Sequence, residues 1–155
     1  MKSSRDLDAV LQRLNLKLPP PPKPVGAYRP FTMSEGVAYL SGQISKDAEG
    51  RVLAGKVGRE LTVEEGKRAA QLAALQAVSL IQAEWGLERI GQILRLAGFV
   101  QSADNFYGQS DVMNAASELF TEILGEAGRH ARTAIGAASL PLNAAVELEL
   151  TLKLK

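Results

Sequence analysis

The sequence contains no cysteine, which excludes a disulfide framework, a thiolate nucleophile and a cysteine-ligated metal site. It has a single histidine, His130, so a serine–histidine–aspartate triad would depend on that one imidazole, and no Gly-x-Ser-x-Gly motif accompanies it. The glycine-rich loops that bind nucleotide phosphates are also missing. Any catalysis therefore has to use arginine, carboxylate, tyrosine, serine and backbone groups, and we expect neither a metal nor an organic cofactor.

The sequence also has a small net charge, few aromatic residues and no long apolar run. The 18 basic and 17 acidic side chains leave a net charge of +1, and 5% of the residues are aromatic, so the sequence does not indicate a nucleic-acid partner. No apolar run reaches the roughly 18 residues that a membrane-spanning helix needs. Residues 1–8 lack the apolar segment of a secretory signal, so we expect a cytoplasmic protein.

The sequence does have the length and composition of one folded domain. Its 155 residues are 46% hydrophobic and 23% charged, which is typical of a globular protein. An amphipathic helix is predicted over Asp6–Leu14, and the prolines between Pro19 and Pro24 enforce an extended chain. Such a segment is either a ligand for a domain that binds proline-rich peptides or, as we favour, a stiff connector that leads into the first strand. We therefore divide the chain into an N-terminal unit, 1–24, and a domain, 25–155.

Turn residues and hydrophobic periodicity place the remaining elements. Thr62 and Glu65 form a capping-box pattern, which predicts a helix that begins there and ends near Trp85. A second helix is predicted over 111–124, with Ser110 as its N-terminal cap. Strands are predicted at 28–34, 36–43, 92–100, 132–138 and 145–153.

These elements follow the order β-β-α-β-α-β-β, which predicts an α+β fold with one mixed sheet. Two helices cannot cover both faces of such a sheet, so we expect them to pack on one face. The last strand alternates with a period of two, because Val146 and Leu148 point to one side and Glu147 and Glu149 to the other. The polar face must then meet water or another subunit.

Several residues of this predicted sheet could support chemistry. Arg132 begins a strand of otherwise small residues, where its guanidinium is either a bidentate clamp for a carboxylate or an ordinary surface arginine. If another subunit covers Glu147, burial raises the pKa of its carboxyl group toward the range useful for acid–base catalysis. Glycines beside Tyr28 and Ser41 indicate either the close approach of a ligand or simple turns. His130 is interpreted as a hydrogen-bonded structural histidine.

Short motifs that include these residues follow one another in a recognisable order: Gly26-Ala27-Tyr28, Ser41-Gly42-Gln43, Asn114, Arg132, Leu140-Pro141 and Val146-Glu147-Leu148-Glu149. This series resembles the RidA/YjgF family of reactive-intermediate deaminases. The interval from Arg132 to Glu147 fits the family pattern without a gap, and the resemblance covers almost the whole of the domain. It implies a chorismate mutase-like α+β fold.

The resemblance also implies an activity and an assembly. The assembly is a homotrimer with clefts between its subunits. Arg132 would bind the carboxylate of a 2-imino or 2-enamino acid such as 2-aminoacrylate. Glu147 and the carbonyl oxygen of Ala134 would orient the water that attacks the imine carbon and releases ammonia. The pocket would be lined by Tyr28, Ser41, Gly42 and Asn114.

Two positions depart from the family pattern. Ala134 occupies a position where many members have cysteine, which excludes any thiol-dependent behaviour but leaves the backbone carbonyl in place. His130 replaces a proline, which places an imidazole beside the expected cleft and makes it a further candidate for substrate binding.

Other functions remain open at this point. The same Arg132 clamp would serve a non-catalytic trimer that binds small carboxylates such as 2-oxo acids. RNA cleavage or inhibition of translation is an older label for the family, but the near-neutral charge and the scarcity of histidine and aromatic residues argue against it. A chorismate mutase-like rearrangement would rest on similarity of fold alone.

Overall fold

The computed structural model describes residues 4–155, so the predicted N-terminal unit, 1–24, begins with residues 1–3 that lie outside the described range. The helices are α1 (Ser4–Arg13), α2 (Val63–Glu84) and α3 (Gln109–Leu124). The strands are β1 (Phe31–Ser34), β2 (Val37–Leu40), β3 (Gln43–Ile44), β4 (Ile90–Gln101), β5 (Ala131–Ala137) and β6 (Val146–Leu154). Within residues 4–155, none of the helices has the length and apolar character needed to cross a bilayer.

The strands form one mixed sheet in the order β1-β2-β6-β4-β5, and β3 also pairs with β6. The β4–β5 pair is parallel and the other pairs are antiparallel. β6 therefore lies in the middle of the sheet although it follows every other element in sequence. Helices α2 and α3 contact each other and pack against this sheet. The prediction of an α+β fold with one mixed sheet is confirmed.

Strand β6 shows which face of the sheet the helices cover. Val146 and Leu148 are completely buried, and Leu150 and Leu152 on the same face are buried as well. Glu149 on the opposite face is exposed. This alternation is the one that the sequence predicts, and it leaves an open face that no helix within residues 4–155 covers.

The first two predicted strands are shorter in the structure than in the prediction. β1 begins at Phe31 rather than at residue 28, and Pro30, which has no N–H to donate, directly precedes it. The predicted strand over 36–43 divides into β2 and β3, because Ser41 and Gly42 leave the ladder between them. These two interruptions leave residues 28–30 and 41–42 outside the regular sheet, where their side chains and backbone border an open space.

Helix α2 begins at the predicted capping box. The side-chain oxygen of Thr62 accepts from the Glu65 N–H at 3.2 Å, and the Glu65 carboxylate accepts from the Thr62 N–H at 2.7 Å. Each interaction satisfies a backbone donor that the first helical turn leaves free. The helix ends at Glu84, with Trp85 as its C-terminal cap and Gly86 in the left-handed region at φ 79°.

The N-terminal segment covers the outer side of α2. Leu7, Leu11 and Leu16 are buried in the same core as the residues of α2, α3 and the sheet. Ser79 in α2 donates from its hydroxyl to the carbonyl of Pro19 at 2.6 Å, which anchors the proline-rich chain. This cover explains why nearly every residue from 69 to 81 in α2 is buried, where the sequence pattern predicted a single buried stripe.

The N-terminal cap predicted for α3 is wrong. The helix begins at Gln109 with Gly108 as its cap, and no side chain accepts from the first turn there. Ser110 lies inside the first turn, and its hydroxyl accepts from the Arg132 guanidinium at 2.8 Å. The hydroxyl therefore interacts with a cation of β5 rather than with the backbone of its own helix.

Candidate functional site

The carboxylate of Glu147 lies on the open face of the sheet, at the point where β3 pairs with β6. Glu147 is opposite Ile44 of β3 and Phe99 of β4, and its side chain is half-buried. Burial raises the pKa of Glu147 above its ordinary value because it disfavours the ionised form, and the nearby charge of Glu149 raises it further. A carboxyl group with a raised pKa accepts and returns protons more readily near neutral pH than an ordinary glutamate.

Gly42 makes room for this carboxylate. A Cβ atom at position 42 would overlap Glu147 Oε1, so only glycine leaves the observed position of the carboxylate free. The neighbouring Ser41 fixes the approach of the chain, because its hydroxyl donates to the carbonyl of Arg29 at 2.6 Å and its N–H donates to the carbonyl of Pro30 at 2.9 Å. These bonds hold the segment that contains Tyr28 against the end of β2.

An open cavity of about 330 Å³ adjoins the carboxylate. Its lining includes four of the predicted site residues, Tyr28, Ser41, Gly42 and Glu147. We refer to it as the Glu147 cavity. Its volume lies at the lower end of the range, about 300–1,000 Å³, that is usual for small-molecule sites.

Arg132 belongs to a second group of side chains on the other side of the sheet. From the edge strand β5 its guanidinium reaches across to α3. Nη1 donates to Asn114 Oδ1 at 3.0 Å and to Ser117 Oγ at 3.1 Å. Nη2 donates to the hydroxyl of Ser110 at 2.8 Å and to its carbonyl at 3.2 Å. The guanidinium is thus held in a fixed orientation by one face of α3.

His130 joins this group through Ser117. The Nδ1 atom lies 2.6 Å from the carbonyl oxygen of Gly128, and Nε2 lies 2.9 Å from Ser117 Oγ. A carbonyl only accepts, so Nδ1 carries the proton and the neutral ring accepts from the Ser117 hydroxyl at Nε2. Burial lowers the pKa of His130, the bond to Gly128 opposes that shift, and the charge of Arg132 lowers the pKa further. We refer to Ser110, Asn114, Ser117, His130 and Arg132 as the Arg132 cluster.

One chain does not bring Arg132 and Glu147 together. Arg132 is level with Leu96 on the helix side of the sheet, whereas Glu147 is level with Phe99 on the open face. They are two strands and three residues apart, which corresponds to on the order of 14 Å between backbones at about 4.8 Å per strand and 3.3 Å per residue. Ala134 lies on the edge strand opposite Gly98, on the same side as the cluster. The predicted site residues therefore form two separate groups.

Two residues of the Arg132 cluster do not figure among the predicted site residues. The sequence pattern predicts Ser110 as a helix cap, and none of the motifs includes Ser117. Both lie on the face of α3 that carries Asn114, at spacings of four and three residues. This regular spacing of small polar residues beside the buried residues of α3 is the signal in the sequence that could have identified them.

Comparison with known proteins identifies similar sequences and folds. The model of a family described as "YjgF/chorismate mutase-like, putative endoribonuclease" matches residues 8–154. The protein TCP17 of Trypanosoma cruzi is 43% identical over 148 residues, which cover 94% of this chain and 92% of that protein.

Two solved structures extend the comparison. The protein Atu1372 from Agrobacterium tumefaciens is 37% identical with a TM-score of 0.89, and the match covers 98% of this chain and 96% of that one. RidA from the Antarctic bacterium Psychrobacter sp. PAMC 21119 is 24% identical with a TM-score of 0.61, over 86% of this chain and 93% of that one. At that identity the second similarity concerns the fold alone.

Proposed function

Because the chain belongs to the YjgF/chorismate mutase-like family, we propose that it hydrolyses reactive 2-imino and 2-enamino acids to 2-oxo acids and ammonia. The observation that supports this most directly is the half-buried Glu147 carboxylate, which has a raised pKa and borders an open cavity above Gly42. 2-Aminoacrylate is the simplest substrate of this class, and we assign the protein to the cytoplasm.

Arg132 is the proposed anchor for the substrate carboxylate. Four of its N–H groups already donate to Ser110, Asn114 and Ser117. An incoming carboxylate would displace the exposed Ser110 hydroxyl, because a charged acceptor forms a stronger bond with a guanidinium than a neutral one does. Asn114 and Ser117 would continue to hold the other nitrogen, so the anchor keeps its orientation.

The reaction needs no strong nucleophile, because the imine carbon is already electrophilic. Water adds its oxygen to that carbon, one water proton passes to Glu147, and the electron pair of the C=N bond moves to nitrogen, which takes up a proton from solvent. Glu147 then returns its proton to the amine nitrogen, the new hydroxyl group loses its remaining proton to solvent as the carbonyl forms, and the C–N bond breaks to release ammonia. The Ala134 carbonyl is the proposed second acceptor for the water. Acid–base catalysis of this kind contributes about 10²–10⁴-fold.

The proposal requires a second copy of the chain, since Arg132 and Glu147 are far apart in one copy. We propose a homotrimer in which the Arg132 cluster of one subunit faces the Glu147 cavity of its neighbour. Each interface would then contain one complete site, and the open face of the sheet would be covered.

The test follows the decay of 2-aminoacrylate released by a serine dehydratase. The protein should accelerate the decay, and Arg132→Ala and Glu147→Gln should each lose the acceleration. Arg129→Ala is the matched control, because Arg129 is an exposed neighbour paired only with Glu126 at 3.5 Å among the described residues. No acceleration by the wild-type protein, or full activity of Arg132→Ala, would contradict the proposal.

A mixing experiment tests the shared site. Arg132→Ala and Glu147→Gln subunits are unfolded, mixed in equal amounts and refolded together. If each site takes one residue from each of two neighbours, about one quarter of the sites in a random mixture are intact. Recovery of about that fraction of the wild-type rate supports the interface site, and complete inactivity of the mixture contradicts it.

A non-catalytic binding protein is the second candidate. It is favoured by the rigid hold on Arg132, which would bind a 2-oxo acid whether or not Glu147 acts on it. This function predicts saturable stabilisation of the protein by pyruvate in a thermal-shift assay, loss of that effect in Arg132→Ala, and no turnover of imines.

A further inference from the structure

Exposed apolar side chains gather at the Glu147 cavity. Among the described residues, Val25 is 95% exposed, Leu142 73% and Tyr28 52%, and all three line this cavity. The rest of its apolar lining includes Pro22, Pro24, Pro30 and Pro141. Large apolar side chains exposed around a concave surface indicate a place where another molecule binds.

Leu142 reaches this position through a strained backbone. Its φ and ψ are 56° and 24°, in the left-handed region, and Asn143 follows with φ 58°. For a residue with a branched side chain this conformation is unfavourable, because its Cβ lies too close to the following carbonyl oxygen. Such strain persists only where the surrounding structure imposes it, and it is concentrated at functional sites.

The buried side chain of Gln101 imposes this conformation. Gln101 is 1% exposed, accepts from the Leu140 N–H at 2.7 Å and donates to Asn143 Oδ1 at 2.7 Å. The carbonyl of Asn143 also accepts from the Gly55 N–H at 2.9 Å. The loop around Leu142 is therefore fixed at both ends from the core, while the Leu142 side chain itself remains exposed.

The opposite wall of the cavity is also rigid. Proline fixes φ at residues 19–22 and 24, and the Ser79 hydroxyl ties this segment to α2 through the Pro19 carbonyl. A wall that is already ordered loses little conformational entropy when a ligand binds. Both walls are thus built before any substrate arrives.

We infer that the Glu147 cavity selects imino acids with a large apolar substituent, and that Leu142 and Val25 contact that substituent. The inference rests on the proposed deaminase function and specifies its substrate class. A cavity of about 330 Å³ holds roughly ten water molecules at about 30 Å³ each. The methylene of 2-aminoacrylate would displace few of them, whereas a branched or aromatic substituent would replace most of them with apolar contacts.

The experiment compares imines produced in situ by an L-amino acid oxidase from alanine, leucine and phenylalanine. Semicarbazide traps each imine as a semicarbazone, and enzymatic hydrolysis competes with this trapping. The decrease in semicarbazone formation when the protein is present therefore gives kcat/KM for each imine. We expect values for the leucine and phenylalanine imines at least about 10-fold above that for the alanine imine, since a single methylene in an apolar pocket is worth about 10–200-fold.

Two variants test the residues named. Leu142→Asn keeps a side chain that tolerates the left-handed conformation, and Val25→Ser shortens the opposite wall. Each should reduce the ratio of the leucine to the alanine rate at least about 3-fold, since each variant removes apolar contacts from only one wall of the cavity. Met33→Ser is the matched control, because Met33 is an exposed apolar residue outside the cavity and its replacement should leave the ratio unchanged.

The outcomes separate this inference from the proposed function. If no imine is hydrolysed faster in the presence of the protein, the proposed function fails. If all imines are hydrolysed equally, or if Leu142→Asn keeps the wild-type ratio, only the inference fails. Dissociation of the trimer by Leu142→Asn in size-exclusion chromatography, with the ratio unchanged, would show that a second copy covers these residues and would also overturn it.

Discussion

Replacement of Gly42 by alanine tests whether the position of the Glu147 carboxylate controls activity. The added methyl group would overlap Glu147 Oε1 and lie 3.1 Å from its Cδ and 3.3 Å from its Cγ. The backbone of Glu147 is fixed by pairing with β3 and β4, so its side chain has to move instead. Gly42 is not among the glycines with positive φ, so alanine adds no backbone strain there.

The structure predicts a large effect on activity and a small effect on stability. We expect kcat/KM to fall about 100-fold, because a displacement of about 1 Å in a reacting group costs that much. The free energy of unfolding should change by less than about 1 kcal/mol, since alanine restricts the unfolded chain by about 0.4–1 kcal/mol and offsets the repacking of one half-exposed carboxylate. Urea denaturation measures the second quantity and shows that the variant is folded.

A double-mutant cycle provides the assay. The decay of 2-aminoacrylate is measured for Gly42→Ala, Glu147→Gln and the double variant. Because both changes act on the same carboxylate, the double variant should be no slower than the slower single variant. Wild-type activity of Gly42→Ala, or losses that multiply in the double variant, would refute the reasoning.

Three further predictions concern pH dependence and stability. The charge of Glu149 adds to the effect of burial in raising the pKa of Glu147, so Glu149→Gln should move the acidic limb of the kcat/KM profile to lower pH; an unchanged profile would contradict this. Burial lowers the pKa of His130 below 6.5, so the neutral ring contributes fully to the free energy of unfolding above pH 6.5, and this contribution is lost as the pH falls through the lowered pKa. His130→Gln should remove this pH dependence, which urea denaturation above and below pH 6.5 measures. Thr62→Ala should lower the free energy of unfolding by about 1 kcal/mol, whereas Thr32→Ala on exposed β1 should change it by less than about 0.5 kcal/mol, and equal effects would argue against the capping box.

Local patterns predicted those parts of the fold that depend on neighbouring residues. The capping box at Thr62 and Glu65 placed the start of α2, and the alternation along residues 146–152 identified the buried face of β6. Ser110 shows the limit of such patterns, since a serine before an apolar run satisfies the rule for a cap and yet binds Arg132. The hydrogen-bond partner of the Ser110 hydroxyl depends on the strand that packs beside α3, and the residues around Ser110 in the sequence do not include that strand.

The candidate site was predicted only in part, for a similar reason. The motifs selected Arg132 and Glu147, but the strand register places them on opposite sides of the sheet in one chain. The contribution of Leu142 depends on two consecutive left-handed residues and on the buried Gln101, which is separated by 39 residues from its partner Leu140. Single-residue patterns carry no information about either relationship.

The central place of β6 has a consequence for how the chain acquires its structure during synthesis. Both β2 and β4 bond to β6, so neither of the two halves of the sheet can join the other before residues 146–154 have left the ribosome. Until then the edges of β2 and β4 that pair with β6 have unpaired N–H and C=O groups, and the apolar faces of these strands depend on the helices or on chaperones for cover. We expect ribosome-bound chains that stop before Val146 to be readily digested by protease, and chains released after Leu154 to become resistant.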